Sequence, residues 1–173
     1  IEIVRIIGNT EIEVTGIQFD SRKVEVGNIF VAQQGTTVDG HTFIAQCVEQ
    51  GASVVVMDDS RYMPVEPNGG VCYLLVKNSD DALGKMAHTW YGKPSQQLQL
   101  IGVTGTNGKT TTATLLYRLF KTLGHKAGLL STVINYVDDE AIPSTHTTPD
   151  ALSLNALLAQ MVAAGCTYAF MEV

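Results

Sequence analysis

The chain is short of cysteine, of basic residues and of long apolar runs, and each shortage removes a class of function. Its three cysteines, Cys47, Cys72 and Cys166, stand far apart with no C-x-x-C among them. That spacing fits no disulfide framework, zinc site or dithiol redox motif, and it predicts buried thiols in a reducing compartment. Eleven Lys and Arg against seventeen Asp and Glu leave a formal net charge of −6. A nucleic-acid surface or a patch for anionic membranes needs the opposite balance. No nucleic acid and no membrane is therefore expected as a partner, and any phosphate must be held by a local device. No apolar stretch approaches the ~20 residues that span a bilayer, and Ile1-Glu2-Ile3-Val4-Arg5 does not read as a secretion signal. A cytoplasmic protein is expected, trimmed at its Met-less start.

What is present is a packed-core composition: 45% of the 173 residues are hydrophobic and 16% charged. The length allows one domain, or a small domain plus part of another. Residues 14–32 read as short strands broken at Asp20-Ser21-Arg22 and Val26-Gly27-Asn28. Residues 42–50 read as a helix with Phe43, Ile44, Cys47 and Val48 as its apolar stripe. Residues 53–57, rich in valine, and the apolar run 71–76 suit buried strands, with a Pro- and Gly-rich loop between them. A boundary is expected at 77–79, where Ser79 can cap a helix with Asp80 and Asp81 in its first turn. That helix runs to about Tyr91, with Trp90 and Tyr91 in the core. Beyond it come a strand over 98–103 and a helix over 109–123 whose buried face is Leu115, Leu116, Leu119, Phe120 and Leu123. One or two strands follow over 127–137, then a helix opened by Pro149 and ending near Ala164, then a strand over 167–172. Strand–helix alternation predicts an α/β fold: a small domain at 1–78, and from 79 the first, incomplete part of a second domain with a mainly parallel sheet.

Gly102-Val103-Thr104-Gly105-Thr106-Asn107-Gly108-Lys109-Thr110 follows an apolar strand and opens a helix. Phosphates need this context: glycines let the backbone turn its N–H groups inward, and a helix N-terminus adds partial positive charge. Lys109 can reach the β- and γ-phosphates of a nucleotide, and the Thr110 hydroxyl can ligate Mg²⁺. The usual phosphate loop has a glycine where Val103 stands.

The run Thr104 to Thr112, T-G-T-N-G-K-T-T-T, closely resembles the ATP-binding motif of the Mur ligases, whose glycines share this shifted spacing. The related folylpolyglutamate synthases usually continue G-K-G-S. Asp20-Ser21-Arg22-Lys23-Val24, the segment Gly27 to Ala32, Gly35 and Asp39-Gly40-His41 are similar to the N-terminal domain of two Mur ligases. These add the third residue and the terminal dipeptide to UDP-N-acetylmuramoyl-peptide. The resemblance implies that 1–78 holds the UDP end of the substrate through Phe19, Ser21 and Thr36-Thr37-Val38. It implies an ATP site at Thr104, Gly105, Thr106, Asn107, Gly108, Lys109 and Thr110, with Lys109 catalytic. Ser21 and Asp39 also suit plain turn-building.

His146-Thr147-Thr148-Pro149-Asp150-Ala151-Leu152 is similar to the third-residue-adding branch, where the threonines contact the sugar-peptide. His146 aligns with a substrate-contacting position of variable type. Locally, Thr148 suits an N-cap and Pro149 a first helical position. Glu172 ends an apolar strand, and at the carboxyl end of a parallel strand an acid can hold Mg²⁺; the resemblance makes it a metal residue. His41, His88 and His125 are assigned no chemistry. The implied activity is ATP-dependent addition of meso-diaminopimelate or L-lysine to UDP-N-acetylmuramoyl-L-alanyl-D-glutamate in peptidoglycan synthesis, by a monomer. The alternatives are the dipeptide-adding ligase, and for this chain alone a non-catalytic nucleotide-binding module. The family's carbamylated lysine and amino-acid-selecting domain are expected beyond Val173, so these residues alone are expected to be inactive.

Overall fold

Short β-branched runs and amphipathic helices alternate along the chain, and they assemble into two five-stranded sheets. The computed structural model describes residues 1–35, 37–66, 69–143 and 149–173. It divides into two units, Ile1–Met86 and Ala87–Val173. The packing boundary thus falls inside a helix, eight residues past the 78/79 position read from sequence. Among the described residues no helix is long and apolar enough to cross a membrane.

The first unit contains β1 (Ile3–Ile7), β2 (Gly16–Gln18), β3 (Asn28–Val31), α1 (Ile44–Glu49), β4 (Val54–Met57) and β5 (Cys72–Val76). It also contains most of α2 (Ser79–Trp90). Strand order is β1-β5-β4-β3-β2, with β2 to β5 parallel and β1 antiparallel on β5. Every residue of β4 is buried, as continuous apolar runs at the centre of a parallel sheet require. Phe30, Val55, Met57 and Tyr73 pack with Ile44 and Cys47 of α1 in one core. Burial pushes the Cys47 thiol up to about 11, so it is an inert apolar group. Ser79 is not the cap of α2: Asn78 Oδ1 accepts from the Asp81 N–H at 2.7 Å, while Ser79 is buried and bonded to Asp58. Trp90 is 44% exposed, so it is not a core residue. It closes the helix on its solvent side.

The second unit contains β6 (Gln99–Val103), α3 (Lys109–Thr122), β7 (Ala127–Leu130), β8 (Ile134–Val137), β9 (Glu140–Pro143), α4 (Ala151–Ala163) and β10 (Tyr168–Glu172). The order is β6-β10-β7-β8-β9: β10 lies parallel between β6 and β7, and β8 and β9 add an antiparallel hairpin. Alternate residues face opposite layers, so Leu129 and Phe170 meet α3 through Ala113 and Tyr117, while Leu130 and Ala169 meet α4 through Leu158 and Met161. The buried face of α3 is therefore Ala113, Tyr117 and the half-buried Leu116 and Phe120. Leu115, Leu119 and Leu123 are 60%, 51% and 63% exposed. The i, i+4, i+8 leucines mark an apolar stripe, but this sheet packs on the neighbouring one. Nor does Pro149 open α4. Asp150 is its N-cap, accepting from the Ser153 N–H at 2.9 Å, and Pro149 precedes it.

One glycine fixes how closely α4 approaches the sheet. A Cβ on Gly128 would lie 2.3 Å from Sδ and 2.8 Å from Cγ of the fully buried Met161. The whole Met161 side chain would have to move, so Gly128→Ala is expected to destabilise the fold by about 1–3 kcal/mol. Urea denaturation of the chain measures this, and a shift below ~0.5 kcal/mol would mean that the α4 layer yields freely.

Candidate nucleotide and substrate sites

Residues 104–108 connect β6 to α3 at the carboxyl edge of the second sheet. Gly105 (φ 147°) and Gly108 (φ 78°) take backbone conformations that a side chain would strain. Gly108 is the N-cap of α3 and offers no side chain to it. The first N–H groups of the helix are thus left for an anion, on the positive end of a fourteen-residue dipole. Lys109 Nζ folds back over the loop and donates to the Gly105 carbonyl at 3.0 Å. Thr104, Gly105, Thr106, Asn107 and Gly108 are all exposed.

Glu172 stands opposite Val103 in the parallel ladder, so β10 delivers its carboxylate to the same edge. Its Oε2 accepts from Thr110 Oγ1 at 2.9 Å, Thr132 N at 3.2 Å and Thr132 Oγ1 at 3.1 Å. Desolvation raises the proton affinity of this carboxyl, but the hydrogen bonds from Thr132 and Thr110, with the nearby Lys109 charge, outweigh it and hold the group below its ordinary value. Thr132 follows β7 and was not foreseen; a lone threonine after a strand carries no signal until the register is known. Beside Glu172 lies a cavity of about 190 Å³ lined by Ser131, Thr132, Asn135, Pro149 and Leu154. Asn135 is buried and accepts from the Ser131 N–H at 3.0 Å, which fixes that wall.

The donor set fits Mg²⁺. Among the described residues all three hydrogen bonds to Glu172 fall on Oε2, which leaves Oε1 and the Thr110 hydroxyl as hard oxygen donors beside the phosphate loop. Among those residues no group of three or more His, Cys, Asp or Glu forms a metal cluster. A single carboxylate plus a hydroxyl is how Mg²⁺ is held when nucleotide phosphates supply the remaining ligands.

In the first unit, Phe19, Ser21 and Val38 line one pocket of about 590 Å³, together with Arg22, Gln33 and Phe43. Thr37 is not among its lining residues. Thr36, His146, Thr147 and Thr148 lie outside the described residues. Asp20 builds the turn that carries Ser21: it accepts from the Arg22 N–H at 3.1 Å and forks the Arg22 guanidinium at 2.9 and 2.8 Å. That guanidinium holds Asp20 at about 2. Asp59-Ser60-Arg61, after β4, repeats the same fork and the same one-turn helix, with Asp59 also at about 2. The D-S-R tripeptide is therefore a turn-former at both places, and only the first copy opens onto this pocket.

Two family profiles match the chain: "Mur ligase family, catalytic domain" over residues 13–91 and "Mur ligase middle domain" over 103–173. The UDP-N-acetylmuramoyl-L-alanyl-D-glutamate–2,6-diaminopimelate ligases of Bacteroides fragilis and Bacteroides thetaiotaomicron are 54% and 52% identical to it over 173 residues. Those alignments take in 100% of this chain and 35% of each relative, so the chain spans about a third of their length. A solved structure of a ligase of the same name superposes with a TM-score of 0.74 at 28% identity, covering 92% of this chain and 32% of the other. With both halves matched and the phosphate loop and Glu172 at one sheet edge, the chain belongs to the Mur ligase family.

Proposed function

We propose that the chain serves ATP-dependent addition of meso-diaminopimelate to UDP-N-acetylmuramoyl-L-alanyl-D-glutamate. The observation that carries the reading is the convergence of Lys109, Thr110 and Glu172 on the exposed, glycine-shaped loop at the head of α3. The names of relatives more than half identical across the whole chain support the substrate, and favour diaminopimelate over lysine. Residues 1–78 supply the UDP pocket through Phe19, Ser21 and Val38, with Thr36 and Thr37 on the same segment. Residues from 79 onward supply the ATP site, with His146, Thr147 and Thr148 toward the sugar-peptide.

In this reading the substrate carboxylate attacks the γ-phosphorus of ATP, ADP leaves, and an acyl phosphate forms. The diaminopimelate amine then attacks the acyl carbon, loses a proton, and expels inorganic phosphate. Little covalent chemistry falls to the protein, so its work is positioning and charge neutralisation. The N–H groups of 105–108 and the α3 N-terminus hold the phosphates, and Lys109 leaves Gly105 to meet the charge growing on the transferring group. Thr110 and Glu172 would hold Mg²⁺, whose part is to neutralise the phosphate oxygens. Thr132 orients Glu172 for that task.

The test uses a full-length ligase carrying these residues. Steady-state ADP release should require both the UDP-dipeptide and diaminopimelate and match amide product mole for mole. ATP turnover indifferent to the UDP-dipeptide would leave a nucleotide-binding module instead.

A further inference from the structure

The cavity beside Glu172 is bordered by a buried amide whose donor end the fold does not use. Asn135 lies in β8 and is 6% exposed. It shares a face of that strand with Val137, which packs against Leu158 and Met161 of α4, so the amide stands in an otherwise apolar layer. Its Oδ1 accepts from the Ser131 N–H at 3.0 Å. A backbone N–H can only donate, so this bond fixes which end of the amide is oxygen and turns Nδ2 elsewhere. Among the described residues Nδ2 has no acceptor. Among them, too, the one fully enclosed side-chain polar atom without a partner is Gln50 Oε1. Nδ2 therefore reaches open space, and the space that Asn135 borders is this cavity. The hydroxyls beside it are occupied: Ser131 Oγ donates to the Ile134 carbonyl at 2.6 Å, and Thr132 Oγ1 to Glu172 at 3.1 Å. Burying an amide whose hydrogen bonds are unmet costs ~1–3 kcal/mol. The tie to Ser131 accounts for Oδ1, and nothing in the fold accounts for Nδ2.

We infer that Asn135 is a substrate-binding residue whose Nδ2 donates to the carbonyl of the peptide bond nearest the reacting carboxylate, the alanyl carbonyl of the proposed substrate. This rests on the reading of Lys109, Thr110 and Glu172 as the place where that carboxylate meets ATP. Size and charge select the group. About 190 Å³ is below the ~300–1,000 Å³ of pockets that enclose whole small molecules, so the cavity takes one residue of a peptide and not a sugar or a nucleotide. Among the described lining residues the one charge is the Glu172 carboxylate, and none is Lys, Arg or His. A carboxylate or phosphate entering there meets only negative charge, and an ammonium leaves Nδ2 unmet. A neutral carbonyl is the acceptor that this donor can hold.

The rest of the wall suits what flanks that carbonyl. Leu130, Pro149, Leu154 and Met171 offer an apolar surface to the alanyl methyl group. Glu172 belongs both to this cavity and to the phosphate-loop edge, so a carbonyl held here lies in the part of the substrate closest to phosphoryl transfer. One more fixed point on the peptide arm raises the share of bound substrate whose carboxylate is aligned with the γ-phosphorus.

The experiment is calorimetric titration of a full-length ligase carrying these residues with two ligands: UDP-N-acetylmuramoyl-L-alanyl-D-glutamate, and the same molecule with sulfur in place of the alanyl carbonyl oxygen, a weaker acceptor. ATP·Mg²⁺ is titrated separately. The wild type is expected to bind the sulfur analogue at least fivefold more weakly than the oxygen substrate. Asn135→Asp, read at pH 8 where the new carboxyl is ionised, still accepts from Ser131 but donates nothing into the cavity. It should bind the oxygen substrate at least tenfold more weakly and distinguish oxygen from sulfur less than twofold, with the ATP Kd changed less than twofold. Asn135→Ala, in which cavity water can meet the Ser131 N–H, should lose the same discrimination, and it decides the matter where Asn135→Asp fails to fold. An asparagine that only braces the Ser131 turn weakens both ligands alike and leaves their ratio unchanged. Variants that keep the wild-type ratio, or a wild type indifferent to sulfur, overturn this inference while the substrate and ATP still bind. A wild type that binds ATP but not the UDP-dipeptide overturns the proposed function and this inference with it.

Discussion

Lys109→Ala in a full-length ligase carrying this sequence should lower amide formation at least a hundredfold while leaving the melting temperature nearly unchanged. The asymmetry comes from where the side chain is used. Among the described residues its amine makes one hydrogen bond, to the exposed Gly105 carbonyl, and water replaces a neutral acceptor's partner there at a cost of at most about 0.5–1.5 kcal/mol. In the proposed reaction the same amine would face the charge on a phosphoryl group in transit, where one preorganised cation is worth several kcal/mol. The readout is product formation at saturating ATP, beside thermal denaturation of the same sample. A variant keeping more than about a tenth of the turnover, a loss below ~1.4 kcal/mol in barrier, would remove Lys109 from the chemistry.

Glu172→Gln should cost about a hundredfold in turnover, near 2.7 kcal/mol, and should raise the Mg²⁺ concentration needed for half-maximal rate. The substitution is nearly isosteric: the amide oxygen can still accept from Thr110 and Thr132, so folding is preserved and the charge alone is lost. Because hydrogen bonds hold the Glu172 carboxyl below its ordinary value, the network it anchors is fully present above that ordinary value. It is lost only as pH falls through the lowered one. The Mg²⁺ requirement of the wild type should therefore begin to rise at a lower pH than an ordinary carboxylate, at about 4, would dictate. A Gln variant with unchanged Mg²⁺ dependence would show that Glu172 serves the fold and not the metal.

Much of this site was legible in the sequence because it is local. The phosphate loop is nine consecutive residues, and the strand before it and the helix after it announce themselves by periodicity. Strands β4 and β5 were legible for the same reason, as short apolar runs between turn signals. What was not legible depends on partners far away in sequence. Thr132 matters only because β7 lies beside β10, and Asp58 only because it meets both His41 and Ser79. The leucines of α3 misled because an apolar stripe says that a face is greasy, not which surface covers it. β1 escaped notice since Ile3–Ile7 is mostly exposed and is held by pairing to β5, some seventy residues on. β9 escaped because Glu140–Pro143 is a short edge strand with a charge and a proline, the features by which edges avoid partners.

The place of β10 between β6 and β7 also sets an order of events as the chain is made. β6, α3, β7 and the β8–β9 hairpin all leave the ribosome before it, yet β6 and β7 do not pair with each other; each pairs with β10. At ~5–20 residues per second, β6 waits several seconds for Tyr168 to arrive opposite Gln99. Closing that long loop is the slow, entropically costly step of forming such a sheet. The strand that closes it is the one that brings Glu172 to Thr110, so the phosphate loop acquires its carboxylate at the moment the sheet becomes continuous. A half-made chain displays the glycine loop without the acid.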